Sequence, residues 1–329
     1  MKRIKIKILL YFFMSLAAFI ISGFVLFAFF TKRSGKNTLV NDGYISREEM
    51  SESKYYGSLL NSYDPEPNWK PGEIFGDFSQ LNVSAQSAVL IELDSGRKLY
   101  EKNPQEKMKI ASLVKIMTAV ISLEHAGEND LITISNTAAN IGENRMGISE
   151  GEVYSIKELL YGLILESGND AAFALSEGVS GDTDTFVSWM NKKAQELGMK
   201  NTFFADPSGL NDSSYSTTED LIKLTRYALK NPKFREIAGT EMIELTSERH
   251  GYLYLENQTN LLTTYPGVKG VKTGYTEEAG LCLVTDAING GKELVGVVLN
   301  SIDRKGDMIL MLDFGYGNLG VNIPHNLLD

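Results

Sequence analysis

The chain has 329 residues, of which 43% are hydrophobic and 22% charged, the composition of a folded globular protein with one large domain or two modest ones. A net charge of −10 argues against a nucleic-acid binder held by phosphate contacts. The single cysteine, Cys282, excludes an internal disulfide, so the fold must rest on its apolar core.

The first element is a membrane signal. "MKRIKIK" carries four basic residues, and Ile8 to Phe30 then runs 23 residues without a charge, long enough to cross a bilayer. Its exit, "FAFFTKRSG", lacks the small-residue pattern of a signal-peptidase site. Residues 1–30 therefore read as an uncleaved N-terminal anchor, with secretion after cleavage as the alternative. The basic residues ahead of the span favour a cytoplasmic N-terminus and place everything after residue 31 outside the cell membrane. That exported part holds 28 basic and 42 acidic residues, a net charge of −14. Residues 31–82, rich in Ser, Asn, Glu and Pro, read as a stalk, and 83–329 as the folded domain.

Order begins at "SAVLIELDSGRKLYEKN", two strand-like runs around Asp94-Ser95-Gly96. A helix over "ASLVKIMTAV" follows. The middle of the chain repeats apolar residues at helical spacing in "SIKELLYGLIL", "DAAFALSEGV", "TDTFVSWMNKKAQELG" and "STTEDLIKLTRYALKNP". In the last of these Ser216 or Thr217 caps the helix, with Glu219 and Asp220 in its first turn. After residue 240 the pattern returns to strands, and Asn289-Gly290-Gly291 joins two of them as a hairpin. A helix from about Arg304 to Tyr316 closes the reading. Strands at both ends with helices between predict an α+β fold: an antiparallel sheet built from both chain ends, flanked by helices, plus a mostly helical lobe.

One residue disturbs this pattern. Lys115 sits mid-helix among Leu113, Val114, Ile116 and Met117, with no polar face to reach, and Ser112 lies one turn back on the same side. A lone lysine usually snorkels to water. A buried one has a depressed pKa, and a partly neutral amine beside a hydroxyl is a general base beside a nucleophile. Two further stretches join it. Ser167-Gly168-Asn169 falls at a break between two helices, where a helix cap is the simplest structural explanation. Lys272-Thr273-Gly274 opens the C-terminal strands. Each is weak alone; their order and settings together are specific.

With these motifs the sequence resembles the active-site-serine, penicillin-binding peptidases, which carry S-x-x-K, S-x-N and K-T-G. It is most similar to the D-alanyl-D-alanine carboxypeptidases among them. The similarity runs from about Ala85 to Ser301 through "ASLVKIMTA", "LLYGLILESGNDAAFALSE", "AQELGMKNTFFADPSGL" and "GVKGVKTGYTEEAGLCLV". It implies a β-lactamase/transpeptidase-like fold, no cofactor, peptidoglycan stem peptides ending in D-Ala-D-Ala as substrates, and β-lactams as inhibitors. It also implies roles. Ser112 is the acylated nucleophile and Lys115 its proton acceptor. Ser167 relays a proton to the leaving group, and Asn169 holds the substrate amide. Lys272 and Thr273 receive the terminal carboxylate. Gly274 leaves room for substrate along the strand, and the backbone N–H groups of Ser112 and Tyr275 form the oxyanion hole. A second cation beside Lys115 is expected to hold its pKa down. Relatives often have histidine where this chain has Tyr275, and Arg304 is the nearest match to an arginine that assists carboxylate binding. The chain ends about 55 residues past Gly274, too short for the separate C-terminal β-domain of many members.

Competing chemistries fit less well. "GISEG", Gly147 to Gly151, matches a nucleophile elbow but follows a polar stretch where the elbow needs a strand. His125, His250 and His325 are dispersed, and no H-x-x-x-H or C-x-x-C pair offers a zinc site. A class A β-lactamase needs S-D-N and a water-activating glutamate, whereas Gly168 holds the middle position and Glu166 lies in the wrong motif. An endopeptidase or transpeptidase would share the same acyl-enzyme, and a non-catalytic cell-wall scaffold would share only the fold. Cys282, between "AGL" and "LVT", reads as a small buried strand residue.

Overall fold

The computed structural model describes residues 66, 68–75, 81–259 and 261–328. The expected anchor and most of the expected stalk lie outside the described residues. The described part of the stalk is packed rather than free. Trp69 lies against the core, Ile74 bridges Lys98, and Glu66 pairs with Arg226 at 3.0 Å and Lys230 at 2.6 Å.

The described chain begins with β1 (Ser87–Glu92) and β2 (Lys98–Lys102), then β3 (Met108–Lys109). β4 (Leu131–Thr133) pairs with β5 (Val153–Ser155), and β6 (Tyr215–Ser216) pairs with β3. β7 (Met242–Ser247) and β8 (Gly251–Glu256) form a separate hairpin. β9 (Val268–Thr276), β10 (Gly280–Asn289) and β11 (Lys292–Ser301) follow. The main sheet is antiparallel in the order β2-β1-β11-β10-β9, so both chain ends supply it as expected. The strands just after residue 240 do not join it: β7 alternates exposed and half-buried residues and β8 buries only Leu255 fully, a pattern that covers one face only.

The central strand β1 is buried at all six positions, because both faces of the sheet are covered. Leu90 faces Met308, Leu312 and Tyr316 of the closing helix, Arg304–Asn318, while Val89 and Ile91 face the core shared with the helical lobe. Truncating such a residue, Leu90→Ala for instance, costs about 2–5 kcal/mol. The β10–β11 turn at Asn289-Gly290-Gly291 has Gly290 at φ 55° and Gly291 at φ 71°, the left-handed pair that a tight hairpin needs.

The helical lobe follows the sequence pattern closely. The helix Ile156–Ile164 starts with a capping box between Ser155 and Glu158, and Thr218–Leu229 starts at Thr217, whose hydroxyl accepts from Asp220 N at 3.0 Å. A short 3₁₀ turn, Ala111–Leu113, leads into the helix Val114–His125, and every residue from Val114 to Leu123 is buried. That helix is wedged between sheet and lobe. Its single lysine therefore has no route to bulk water.

Candidate active site

The 3₁₀ turn brings Ser112 to the wall of a cleft of about 180 Å³, lined also by Ser167, Asn169, Gly209, Thr273, Gly274 and Arg304. Lys115 lies beneath it with zero exposure. Its ammonium donates to Ser112 Oγ at 2.9 Å, Asn169 Oδ1 at 2.7 Å and the Ser208 carbonyl at 2.7 Å. The count matters. A neutral amine keeps two N–H groups, which Asn169 and Ser208 satisfy, and its lone pair is left for the Ser112 hydroxyl proton. The Asn169 amide is held in the required orientation because its Nδ2 donates to Gly142 O at 3.0 Å.

Burial pulls the Lys115 pKa down to about 7, against the upward pull of Asp206, Asp170 and Glu143. The expected push from a second cation falls instead on Lys272. That residue is 1% exposed and its pKa is well below the usual lysine range, first through burial and then through repulsion by Lys115 and Arg304, with Glu166 opposing. Among the described residues no ion pair joins Lys272 to a carboxylate. It lies on β9, the edge strand of the sheet, which has β10 on one side only.

Ser167 does not act as a helix cap. Gly168 occupies the N-cap of Asn169–Ser180 and no side chain caps that helix. Ser167 is held instead at φ 57°, outside the usual region for a side-chain-bearing residue, with a buried Oγ that has no hydrogen-bond partner. Unpaired buried hydroxyls are rare, and each one calls for an explanation.

Ser112, Lys115, Ser167, Asn169, Thr273, Gly274 and Tyr275 are thus brought together at one cleft, with Lys272 on the adjoining strand. Tyr275 is 59% exposed at its rim. Arg304 joins them: its Nη1 donates to Gly274 O at 2.8 Å, which ties the closing helix to the K-T-G backbone. Cys282 is buried on β10 with its pKa raised to about 11 by burial, as an inert strand residue should be.

The motifs alone do not reveal the groups that build the floor. Asp206, nearly buried, accepts from Ser208 N at 2.6 Å, Gly209 N at 2.6 Å and Asn211 N, and so curls the loop that presents the Ser208 carbonyl to Lys115. Gly209, at φ 84°, presses against the turn ahead of Ser112: a Cβ there would lie 2.0 Å from Ala111 O, so no side chain fits. The signal was the turn chemistry of "ADPSGLN", Asp followed by Pro, Ser and Gly. Glu143, Asn144 and Gln258, also in the lining, carried no such signal.

Known proteins are similar to this chain in sequence and fold. The family model for D-alanyl-D-alanine carboxypeptidases, the S11 peptidases, matches residues 76–303. A D-alanyl-D-alanine carboxypeptidase of Bacillus subtilis, DacF, is 38% identical over 247 residues, covering 72% of this chain and 64% of the relative's own length. The crystal structure of a D-alanyl-D-alanine carboxypeptidase from Mycobacterium tuberculosis is 33% identical with a TM-score of 0.68, covering 72% of this chain and 92% of that one. That of the Streptomyces K15 DD-transpeptidase is 31% identical with a TM-score of 0.69, covering 72% and 98%. With the match spanning well over half of its residues, the chain belongs to the D-alanyl-D-alanine carboxypeptidase family of serine peptidases.

Proposed function

We propose that this chain is a membrane-anchored D-Ala-D-Ala carboxypeptidase that trims peptidoglycan stem peptides and is acylated by β-lactams. The observation that carries the reading is the three-way bonding of Lys115 to Ser112, Asn169 and Ser208. The peptide enters extended along the open edge of β9, its terminal carboxylate supplying the counter-charge that Lys272 lacks, with Thr273 as a second donor. Ser112 Oγ attacks the penultimate carbonyl as its proton passes to Lys115. The backbone N–H groups of Ser112 and Tyr275 hold the oxyanion, an effect of about 10²–10³-fold per donor. Ser167 relays the proton from Lys115 to the departing amine of D-alanine. Water then enters against the same base and frees the shortened peptide.

A β-lactamase reading is disfavoured by Glu166, whose carboxylate accepts from Glu256 N at 2.7 Å and so fastens the β7–β8 hairpin. Transpeptidation stays in view because the Streptomyces neighbour carries that name and because an amine competes with water for one acyl-enzyme. Residues 8–30 are assigned as the anchor; extraction of the membrane fraction with alkaline carbonate should leave the chain in the pellet, and its release would sink that part.

The test of the whole is the intact mass of the full-length chain in detergent after mixing with benzylpenicillin, paired with D-alanine release from a peptide ending in D-Ala-D-Ala. A lasting adduct of one drug mass and release of D-alanine, both absent in Ser112→Ala, are expected. Unmodified protein with intact drug and peptide would overturn the reading, and drug turnover without an adduct would favour the β-lactamase.

A further inference from the structure

Glu143 lines the cleft together with Ser112 and the β9 residues, although the proposed ligand itself ends in a carboxylate. Two acids in one small cleft repel each other; Lys115 beneath and Arg304 in the lining offset part of that repulsion, and a cation on the ligand would offset more. Glu143 is not a stray side chain on a loose loop. Asn169 Nδ2 donates to Gly142 O at 3.0 Å and Asn169 N to Asn144 O at 2.8 Å, so the residues on either side are tied to the proposed catalytic asparagine. Buried Asp170 then clamps the same loop, accepting from Met146 N at 2.8 Å and Gly147 N at 2.9 Å. Glu143 itself sits at φ 62°, a conformation that disfavours any residue with a Cβ and that clusters at ligand clamps. The nearest arginine in sequence, Arg145, turns to Asp170 at 3.6 Å and leaves Glu143 without its charge.

We infer that Glu143 is a specificity residue that receives a primary ammonium group of the stem peptide, in the cleft where Lys272 receives the carboxylate. The inference rests on the carboxypeptidase reading above. The ammonium has two sources with the same chemistry. One is a diamino side chain on the residue preceding D-Ala-D-Ala. The other is the amine of a second strand that takes the place of water at the acyl-enzyme.

Two peptides separate these, identical except that the lysine before D-Ala-D-Ala carries a free or an acetylated ε-amine. The ratio of their kcat/KM values is measured in wild type, Glu143→Gln and Glu143→Asp. Any general effect of the mutation on Lys115 cancels in that ratio. Wild type should favour the free amine by about 2- to 5-fold, the size of an exposed ion pair. The preference should vanish in Glu143→Gln and survive in part in Glu143→Asp. In the acceptor arm, an added amino-acid amine competes with water on the acetylated peptide. If the second strand is the source, Glu143→Gln lowers the ratio of aminolysis to hydrolysis. Ratios unchanged by Glu143→Gln in both arms overturn the inference while D-alanine release stands. No release from either peptide by the wild type overturns the carboxypeptidase reading, and this inference with it.

Discussion

The two buried lysines of the cleft are solvated in opposite ways. Lys115 has three partners built by the protein and feels three carboxylates, Asp206, Asp170 and Glu143. Lys272, just as buried, has no ion-pair partner among the described residues, and its nearest charges include two other cations. The first is equipped to change its protonation state within the protein. The second is left for the ligand to complete. These settings suit the roles proposed for them: a base needs a tuned and stable environment, whereas a carboxylate receptor gains selectivity by being poorly satisfied until the carboxylate arrives.

The sharpest way to break the comparison begins at the nucleophile. Ser112→Ala removes the proposed nucleophile and should abolish the benzylpenicillin adduct outright, read by intact mass. Lys115→Met should leave Ser112 in place yet slow acylation by about 10²–10⁴-fold, the usual worth of a positioned base, read by stopped-flow with a fluorescent penicillin. A Lys115→Met protein that acylates at the wild-type rate would remove Lys115 from the mechanism.

Lys272→Met sharpens the contrast through stability. A buried amine without a counter-ion costs free energy to desolvate, so an apolar residue of similar volume should leave the free protein as stable or more stable, while ligand capture falls. The expected pair is an unchanged or higher Tm and a kcat/KM lower by about 10–100-fold, consistent with loss of a charged hydrogen bond. Lys115→Met should not share that gain, because it strands Asn169 Oδ1 and the Ser208 carbonyl without a donor. Equal Tm changes for the two variants would show that the lysines do not differ as described.

Much of this was legible before any coordinates. Ser112 and Lys115 are one helical turn apart, so local geometry alone places them together, and the helices of the lobe announce themselves through caps such as Thr217 and Ser155. The rest depends on contacts between distant positions. The Ser208 carbonyl lies 93 residues from Lys115 in sequence, and nothing local says that a turn built by Asp206 will point there. Glu143 is a polar residue in a polar stretch until the loop is folded against Asn169. The β7–β8 hairpin shows the converse: its strand pattern is real, but half-exposed alternation suits a ribbon on the surface as well as a strand in the main sheet. The Ser167 break was visible as well. Its meaning was not, because a cap and a buried unpaired hydroxyl have the same sequence.

The smallest expected effect is also the most direct probe of how Lys115 is tuned. With Lys115 as the proposed base, acylation needs its neutral amine, so the rate should rise with pH through a limb centred near 7 and level off above it. Glu143 is an anion that favours the charged ammonium, which places it among the groups that keep this limb from lying lower still. In Glu143→Gln the Lys115 pKa falls, the limb moves to lower pH, and at pH 6.5 the variant acylates at a larger fraction of its own plateau than wild type does. Because Glu143 is exposed, added salt should screen it, moving the wild-type limb towards that of the variant while the variant responds less. A limb that moves the other way, or one that is absent between pH 5 and 9, would mean that the group titrating in this cleft is not Lys115.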